Sequence, residues 1–205
     1  MTSRREQKKQ QTLNAIVSTA ARSFDSAGYD ATSIEAIAAD AGVSAGTVYN
    51  YFGTKHAILM AVVTRDTEQA LIAASSAVDL SAADPVDALM PTIMVYVDAM
   101  TPLGREALKE IFKAGFEPAQ SDMMAKLISL DERSIAQIGE AFALLQAHGL
   151  AADTVDAGSA AVLIYSIVAV AILMFVSMPE TTVPDMERTI RNQLTLAFEG
   201  VGVAG

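Results

Sequence analysis

The chain has 205 residues, of which 52% are hydrophobic, and its formal net charge is −10. This length and composition allow a sizeable core in one or two domains, and the absence of cysteine excludes disulfide frameworks and thiolate metal sites. With only six prolines and few alternating β-branched runs, the sequence predicts an all-α fold.

The first eleven residues, MTSRREQKKQQ, are polar and basic and contain no apolar segment of signal-peptide type. Two interpretations of Arg4, Arg5, Lys8 and Lys9 stay open. They belong either to a solvated terminus or to an arm that contacts nucleic acid.

Apolar residues at helical spacing then predict a first helix that ends at Gly28. The stripe consists of Leu13, Ile16, Val17, Ala20 and Phe24.

Residues 32–55, TSIEAIAADAGVSAGTVYNYFGTK, predict two short helices joined by a tight turn. Thr32 or Ser33 is placed to cap the first helix, with Glu35 completing a capping box. Gly42 is suited to close that helix in the left-handed conformation, and Ser44 to cap the next one.

The second helix, from Ala45 to Phe52, is predicted to bury Val48 and Phe52 and to expose a face without acidic residues. That face starts with small residues and continues with short polar groups, the pattern that a helix needs to approach base edges and phosphates. It comprises Ala45, Gly46, Thr47, Asn50 and Tyr51, with Tyr49 at the margin.

The run from Thr32 to Leu59, centred on AGVSAGTVYNYFGTKHAIL, resembles the DNA-binding segment of the TetR family of bacterial transcriptional regulators. The turn glycine, the Gly-Thr-x-Tyr start of the recognition helix, the following Phe52 and then Lys55 all coincide. The resemblance implies phosphate contacts from Thr47, Tyr49, Tyr51 and Lys55, and base contacts near Ala45, Gly46 and Asn50. The whole DNA-binding set that we predict is Thr32, Ser33, Ser44, Ala45, Gly46, Thr47, Tyr49, Asn50, Tyr51 and Lys55.

The charge is distributed unevenly along the chain. Residues 1–65 contain seven Lys and Arg residues against five acids, whereas the remaining 140 residues contain seven against nineteen. A mildly basic head on an acidic body allows the head to meet phosphate while the body repels it.

A long helix is predicted over residues 54–78, and Pro85 marks a boundary, with Asp84 or Ser81 as a cap. We therefore predict a three-helix DNA-binding domain over 1–54 and a helical effector-binding and dimerisation domain over 55–205, with about nine helices in total. Three of these helices are expected between residues 85 and 150.

Bulky, deformable apolar groups in this second part suggest a pocket for a small lipophilic effector, although plain core packing is the commoner role for any one of them. The candidate lining residues are Met94, Phe112, Phe116, Met123, Phe142 and Tyr165.

Residues 157–178 are uncharged and long enough to span a bilayer. They lack a flanking basic cluster, and the next helix carries a single apolar stripe, so a four-helix interface between two subunits is the preferred interpretation. The candidate interface residues are Val162, Ala169, Met186, Ile190, Leu194 and Phe198.

The sequence thus predicts a cytoplasmic, homodimeric, ligand-responsive regulator of transcription that binds a palindromic DNA operator, most simply as a repressor. No Ser/His/Asp set, HExxH motif or phosphate-binding glycine loop supports an enzyme, and neither a metal nor a cofactor is expected. The alternative is a helical membrane-associated protein that uses residues 157–178 as its span.

Overall fold

The computed structural model describes residues 3–115 and 122–200, and side chains within them except those of residues 114–115 and 122–124. The described residues form nine α-helices and one 3₁₀ turn, with no β-strand, which confirms the all-α fold. The helices are α1 (Arg4–Ala27), α2 (Ile34–Asp40), α3 (Ala45–Phe52), α4 (Lys55–Ala74), α5 (Pro85–Met100), α6 (Gly104–Gly115), α7 (Asp122–Ala147), α8 (Ala157–Ser177) and α9 (Val183–Glu199), and the 3₁₀ turn is Thr101–Leu103.

Most helix boundaries lie where the cap residues predicted them. Helix α1 stops before Gly28, which has φ 87°, and the side chains of Ser44 and Asp84 accept backbone N–H groups at the starts of α3 and α5. The N-cap of α2 is Ser33, which places Glu35 one position too early for the predicted capping box. Near the N-terminus, Ser3 caps α1 and Arg4 is its first helical residue.

The chain divides into two compact units. The first contains the residues up to Asp66 and the segment that begins at Pro102. Helix α1 packs against α2 and α6, and α2 packs against α3, because each contributes an apolar face to one core. Its fully buried side chains include Ile16, Ala20, Phe24, Ile37, Val48, Ile58, Leu59 and Leu108.

The second unit contains Thr67–Thr101 and the chain from Ala125 onward. Helix α9 packs against α8 and α5, and its apolar stripe of Met186, Ile190 and Leu194 is at most 1% exposed. Helices α7 and α8 are in contact at Gly139, where a Cβ would lie at the ordinary van der Waals distance of 3.6 Å from both Ala157 O and Ala161 Cβ.

Helix α8 has two apolar faces. One face is buried in the second unit, while Val162, Leu163, Val170, Leu173 and Met174 on the other are between 37% and 53% exposed. With a mean hydropathy of 2.6 over its most apolar window, α8 is long and apolar enough to cross a membrane, a property that core helices of soluble proteins share.

Candidate nucleic-acid interface

The turn between α2 and α3 is fixed by backbone hydrogen bonds and one glycine. Gly42 has φ 69°, and its N–H donates to Ala39 O at 3.1 Å, while the N–H of Val43 donates to Ala38 O at 3.0 Å. These bonds satisfy carbonyls at the end of α2 and turn the chain sharply. Helix α3 therefore begins in a defined direction, with only four residues between it and the end of α2.

Ser44 organises the first turn of α3. Its Oγ accepts the N–H of Thr47 at 3.1 Å and lies 2.8 Å from the Thr47 hydroxyl. Ser33 caps α2 in the same way, accepting the N–H of Ala36 at 3.1 Å. Both serines are exposed, so the two cap residues lie at the surface as well as ordering the helix starts.

The outer face of α3 is partly exposed, with Ala45, Thr47 and Tyr51 half-buried. Val48 is fully buried, whereas Gly46, Tyr49 and Asn50 are exposed. A Cβ at Gly46 would meet nothing nearer than Ser44 Oγ, at 3.8 Å, so packing within the chain does not require a glycine there. A small residue at an exposed helix start leaves room for a close partner.

Tyr49 is held by a residue of α2. Its hydroxyl donates to Glu35 Oε1 at 3.1 Å, and this hydrogen bond to the carboxylate is the main reason that the pKa of the Tyr49 phenol is raised. The contact orients the 48%-exposed ring and also puts one carboxylate beside the recognition surface.

Two residues of the predicted set form structural contacts. Thr32 is only 4% exposed, and its hydroxyl lies within hydrogen-bonding distance of Gly28 O at 2.8 Å and Ser23 O at 3.2 Å. Lys55 Nζ donates to the carbonyls of Tyr29 and Thr32 at 2.9 and 3.0 Å, and lies 4.3 Å from the centre of the Tyr29 ring. These contacts join α4 to the loop before α2.

Sequence reasoning placed Lys55 by its match to a motif and missed these partners, because they lie more than twenty residues earlier in the chain.

The predicted effector-lining residues are spread over both units. Met94, Phe142 and Tyr165 belong to the second unit, where Phe142 stacks on Phe198 with ring centres 6.0 Å apart. Phe112 belongs to the first unit. Phe116 lies outside the described residues, and so does the side chain of Met123.

The second unit also contains polar groups that sequence reasoning did not single out. Tyr96 donates its hydroxyl to Gln137 Oε1 at 2.5 Å, and Gln137 Nε2 donates to Leu71 O at 2.8 Å. Burial raises the pKa of Tyr96 to about 12. Thr92 is fully buried, and its hydroxyl has no hydrogen-bond partner among the described residues.

Tyr165 is paired with a carboxylate. Burial raises the pKa of its phenol, and the charge of Asp131 and a hydrogen bond to it add to the shift. The Asp131 carboxyl also has a raised pKa, because neighbouring protein atoms displace water from it, although its hydrogen bond with Tyr165 opposes that effect.

Of the predicted interface residues, Val162 is 53% exposed and Ala169 and Phe198 are half-buried. Met186, Ile190 and Leu194 face inward, because the stripe of α9 meets α5 and α8 of its own chain. Within the described ranges, no group of three or more His, Cys, Asp or Glu residues is placed to hold a metal ion.

Comparison with a family profile assigns the helix-turn-helix segment. The profile described as "Bacterial regulatory proteins, tetR family" matches residues 16–62, from the core of α1 to the middle of α4. No curated protein sequence matches the chain.

Solved structures share the fold over almost the whole chain. A putative TetR-family regulator from Mesorhizobium loti has a TM-score of 0.67 at 22% identity, covering 92% of this chain and 96% of its own. FadR of Thermus thermophilus, a TetR-family repressor in complex with lauroyl-CoA, has a TM-score of 0.65 at 18% identity, covering 94% and 96%. SmeT in complex with triclosan has a TM-score of 0.60 at 20% identity, covering 91% and 90%. At these identities the likeness concerns the fold.

Proposed function

We propose that this chain, whose residues 16–62 match the model of the TetR family of bacterial regulatory proteins, is a cytoplasmic repressor that releases its operator when a small lipophilic effector binds. One observation carries the proposal. The outer face of α3 begins with the small residues Ala45 and Gly46, continues with Thr47, Asn50 and Tyr51, and contains no acid; Gly46 and Asn50 are exposed and the other three are half-buried. A helix with this face fits the major groove of DNA.

The roles that we propose follow from the polar groups that these residues place on the surface of the helix-turn-helix. Asn50 is exposed and carries an amide that can pair with a base edge, while Ala45 and Gly46 let the backbone approach. Thr47, Tyr49 and Tyr51, with the capping residues Ser33 and Ser44, are proposed to contact the sugar-phosphate backbone. Thr32 and Lys55 are proposed to stabilise this surface through their hydrogen bonds to backbone carbonyls of the loop before α2.

We propose a homodimer that binds two half-sites of a palindromic operator. The exposed apolar face of α8 is the surface proposed to meet the second subunit, with Val162 on it and Ala169 at its edge. Since Met186, Ile190 and Leu194 are buried in their own chain, their role in the interface is to hold α8 and α9 together.

The effector is proposed to bind in the second unit, near Met94, Phe142 and Tyr165. Deformable apolar side chains suit a lipophilic body, and the unpaired hydroxyl of Thr92 is a polar group that a ligand would satisfy. FadR and SmeT, which share the fold, were solved with lauroyl-CoA and triclosan, two ligands with substantial apolar parts. This supports a lipophilic effector without identifying it.

Release requires that the effector favour a conformation that binds DNA poorly. Helix α4 offers a covalent route, because Lys55–Asp66 belongs to the first unit and Thr67–Ala74 to the second. We propose that a shift in its second half changes the presentation of α3.

The DNA-binding proposal is tested with the DNA that flanks the protein's own gene, in a mobility-shift assay. Asn50→Ala should weaken binding roughly tenfold or more, since a good base contact contributes about 1–3 kcal/mol. Thr47→Ala combined with Tyr51→Ala should also weaken binding, because two proposed hydrogen bonds to the sugar-phosphate backbone are lost. Asn192→Ala is the matched control, because Asn192 is an exposed amide on α9. If both α3 variants bind this DNA as tightly as the parent does, α3 is not the recognition helix.

The effector proposal is tested by thermal unfolding with triclosan and with a series of acyl-CoA chain lengths. A lipophilic effector should raise the melting temperature and dissociate the DNA complex. The proposal fails if none of these compounds stabilises the protein while a charged, non-lipophilic metabolite releases the DNA. Mass spectrometry of the purified protein would identify a ligand that stays bound.

A further inference from the structure

We propose that the first eight residues of α1, Arg4–Gln11, form a rigid basic arm that binds the phosphates flanking the operator half-site. This inference rests on the proposed DNA-binding function and adds a second surface to it. All eight residues are exposed, and the first buried residue of α1 is Ile16. The arm is therefore a helical extension beyond the core, about 12 Å long at 1.5 Å per residue.

The other Lys and Arg side chains of the first unit have partners within the chain. Lys55 is bound to carbonyls, Arg65 pairs with Asp66 at 2.6 Å and donates to Ser18, and Arg22 donates to Thr19. Lys109 and Lys113 pair with glutamates three residues earlier, at 2.6 and 2.5 Å, and Arg105 has a partner too. Helix α3 has no Lys or Arg at all.

The arm is different in this respect. Within the described parts of the chain, the side chains of Arg4, Arg5, Lys8 and Lys9 form no ion pair or hydrogen bond, and Glu6 is the single acid among them. These four side chains are thus the cations of the first unit that have no protein partner. The arm can therefore contribute to the electrostatic component of DNA binding without first breaking an ion pair.

The arrangement of the four cations also fits a polyanion. Arg4 with Lys8 and Arg5 with Lys9 are separated by four residues, so each pair places like charges side by side on the helix. At 100° per residue the four occupy an arc of about 140°, and Lys9 is aligned with the core stripe of α1. Like charges at this spacing repel each other in the free protein, and a row of phosphates removes that repulsion.

The partner is duplex DNA because the arm continues into the rest of α1, which packs against α2, the first helix of the helix-turn-helix unit. Along about 12 Å, duplex DNA presents roughly seven phosphates, which is sufficient for four cations. The glutamines of the arm, Gln7, Gln10 and Gln11, have no charge to oppose this contact.

The test compares the full-length parent with the variant in which Arg4, Arg5, Lys8 and Lys9 are all replaced by Gln, a good helix former. Binding to the flanking DNA of its own gene is measured from 50 to 200 mM KCl. The slope of log K against log [salt] is negative, and removing four phosphate contacts should reduce its magnitude by about 3.6. Binding at 100 mM salt should weaken by roughly tenfold or more. Circular dichroism and the melting temperature should stay those of the parent, because the arm lies outside the core.

The control variant removes four charges elsewhere, by Lys109→Gln, Lys113→Gln, Lys126→Gln and Arg133→Gln, and should leave the slope unchanged. A second measurement shortens the duplex by about four base pairs at each end, which should weaken the parent and not the arm variant. If the parent binds DNA and the arm variant has the salt slope of the parent, the proposed phosphate contacts of the arm are excluded. They are also excluded if the control variant loses as much slope as the arm variant. Neither result affects the proposed role of the recognition helix. If the arm variant loses binding only to anionic lipid vesicles, the partner is a membrane surface and the inference is overturned.

Discussion

Two kinds of polar contact hold single residues in place around the α2–α3 turn: helix caps, which act within one turn of the chain, and contacts between side chains of different helices. Ser44 and Gly42 act over three or four residues, so their roles follow from local chemistry. The contact of Tyr49 with Glu35 joins residues fourteen apart on different helices. Such a contact depends on how α2 and α3 cross, which the pattern of apolar residues leaves open.

Lys55 shows what this difference means for experiment. We predict that Lys55→Met lowers the free energy of unfolding by about 2 kcal/mol, because a half-buried ammonium loses charge-assisted hydrogen bonds to two carbonyls and the contact with the Tyr29 ring. The salt slope of DNA binding should stay that of the parent. Urea unfolding and a salt titration measure the two quantities.

Lys8→Met is the matched comparison for Lys55→Met. It should leave the urea midpoint unchanged and lower the salt slope by about 1, since Lys8 is exposed and without a partner. The assignment of Lys55 as a structural cation fails if its variant is as stable as the parent and loses a unit of slope.

At the scale of helices, boundaries were predictable where a cap chemistry or proline marks them. Helix α3 has the predicted bounds, and α5 begins at Pro85 behind Asp84. The faces of α8 and α9 were harder to assign, because one helix is apolar all round and the stripe of the other fits a partner subunit as well as its own chain. Only the packing of α9 on α5 decides that its stripe is core.

The capping box at the start of α9 gives a pH-dependent prediction. The hydroxyl and the N–H of Thr182 and the guanidinium of Arg188 lower the pKa of Asp185 to about 2, from 3.8 for an unperturbed group. A folded-state pKa below the unfolded value stabilises the fold above pH 4, and this contribution disappears as the pH falls from about 4 toward 2. Asp185→Asn should therefore lower the urea midpoint equally at pH 7 and pH 5, with a smaller difference at pH 3.

Asp153→Asn serves as the control for Asp185→Asn, because Asp153 lies exposed in the loop before α8. Its urea midpoint should match that of the parent at all three pH values. A difference for Asp185→Asn that is constant from pH 7 to pH 3 would mean that the carboxylate charge does not stabilise the capping box.

At the scale of the whole molecule, composition predicted the helical class and the charge asymmetry predicted which end meets phosphate. The return of the chain at Pro102 to the first unit had no signal in the sequence, because it depends on contacts between residues far apart. The predicted division after residue 54 therefore stays a prediction about function. The distribution of partners among the basic residues likewise emerges only when side chains far apart in sequence are placed together.

The exposed apolar face of α8 is the surface of the molecule that we expect a partner to bury. Val162, Leu163, Val170, Leu173 and Met174 fall within an arc of about 120° of the helix, and a contiguous apolar patch of this kind usually marks an interface. Ser159 and Ser166 are exposed on the same face, which favours a protein partner over lipid. A second copy of α8, packed across a two-fold axis, would bury the same residues twice.

We predict that Val170→Glu combined with Leu173→Glu converts a dimer into a monomer, because burying four carboxylates across the two-fold axis costs more than the interface gains. Sedimentation velocity measures the assembly state.

Because two linked recognition helices bind a palindrome with avidity, affinity for the operator should fall on the order of 10²-fold. Ile72→Glu is the control, since Ile72 is a single apolar residue that is 75% exposed on α4. A double variant that sediments as the parent does would exclude α8 as the interface, and a parent that requires detergent to stay in solution would favour the membrane span instead.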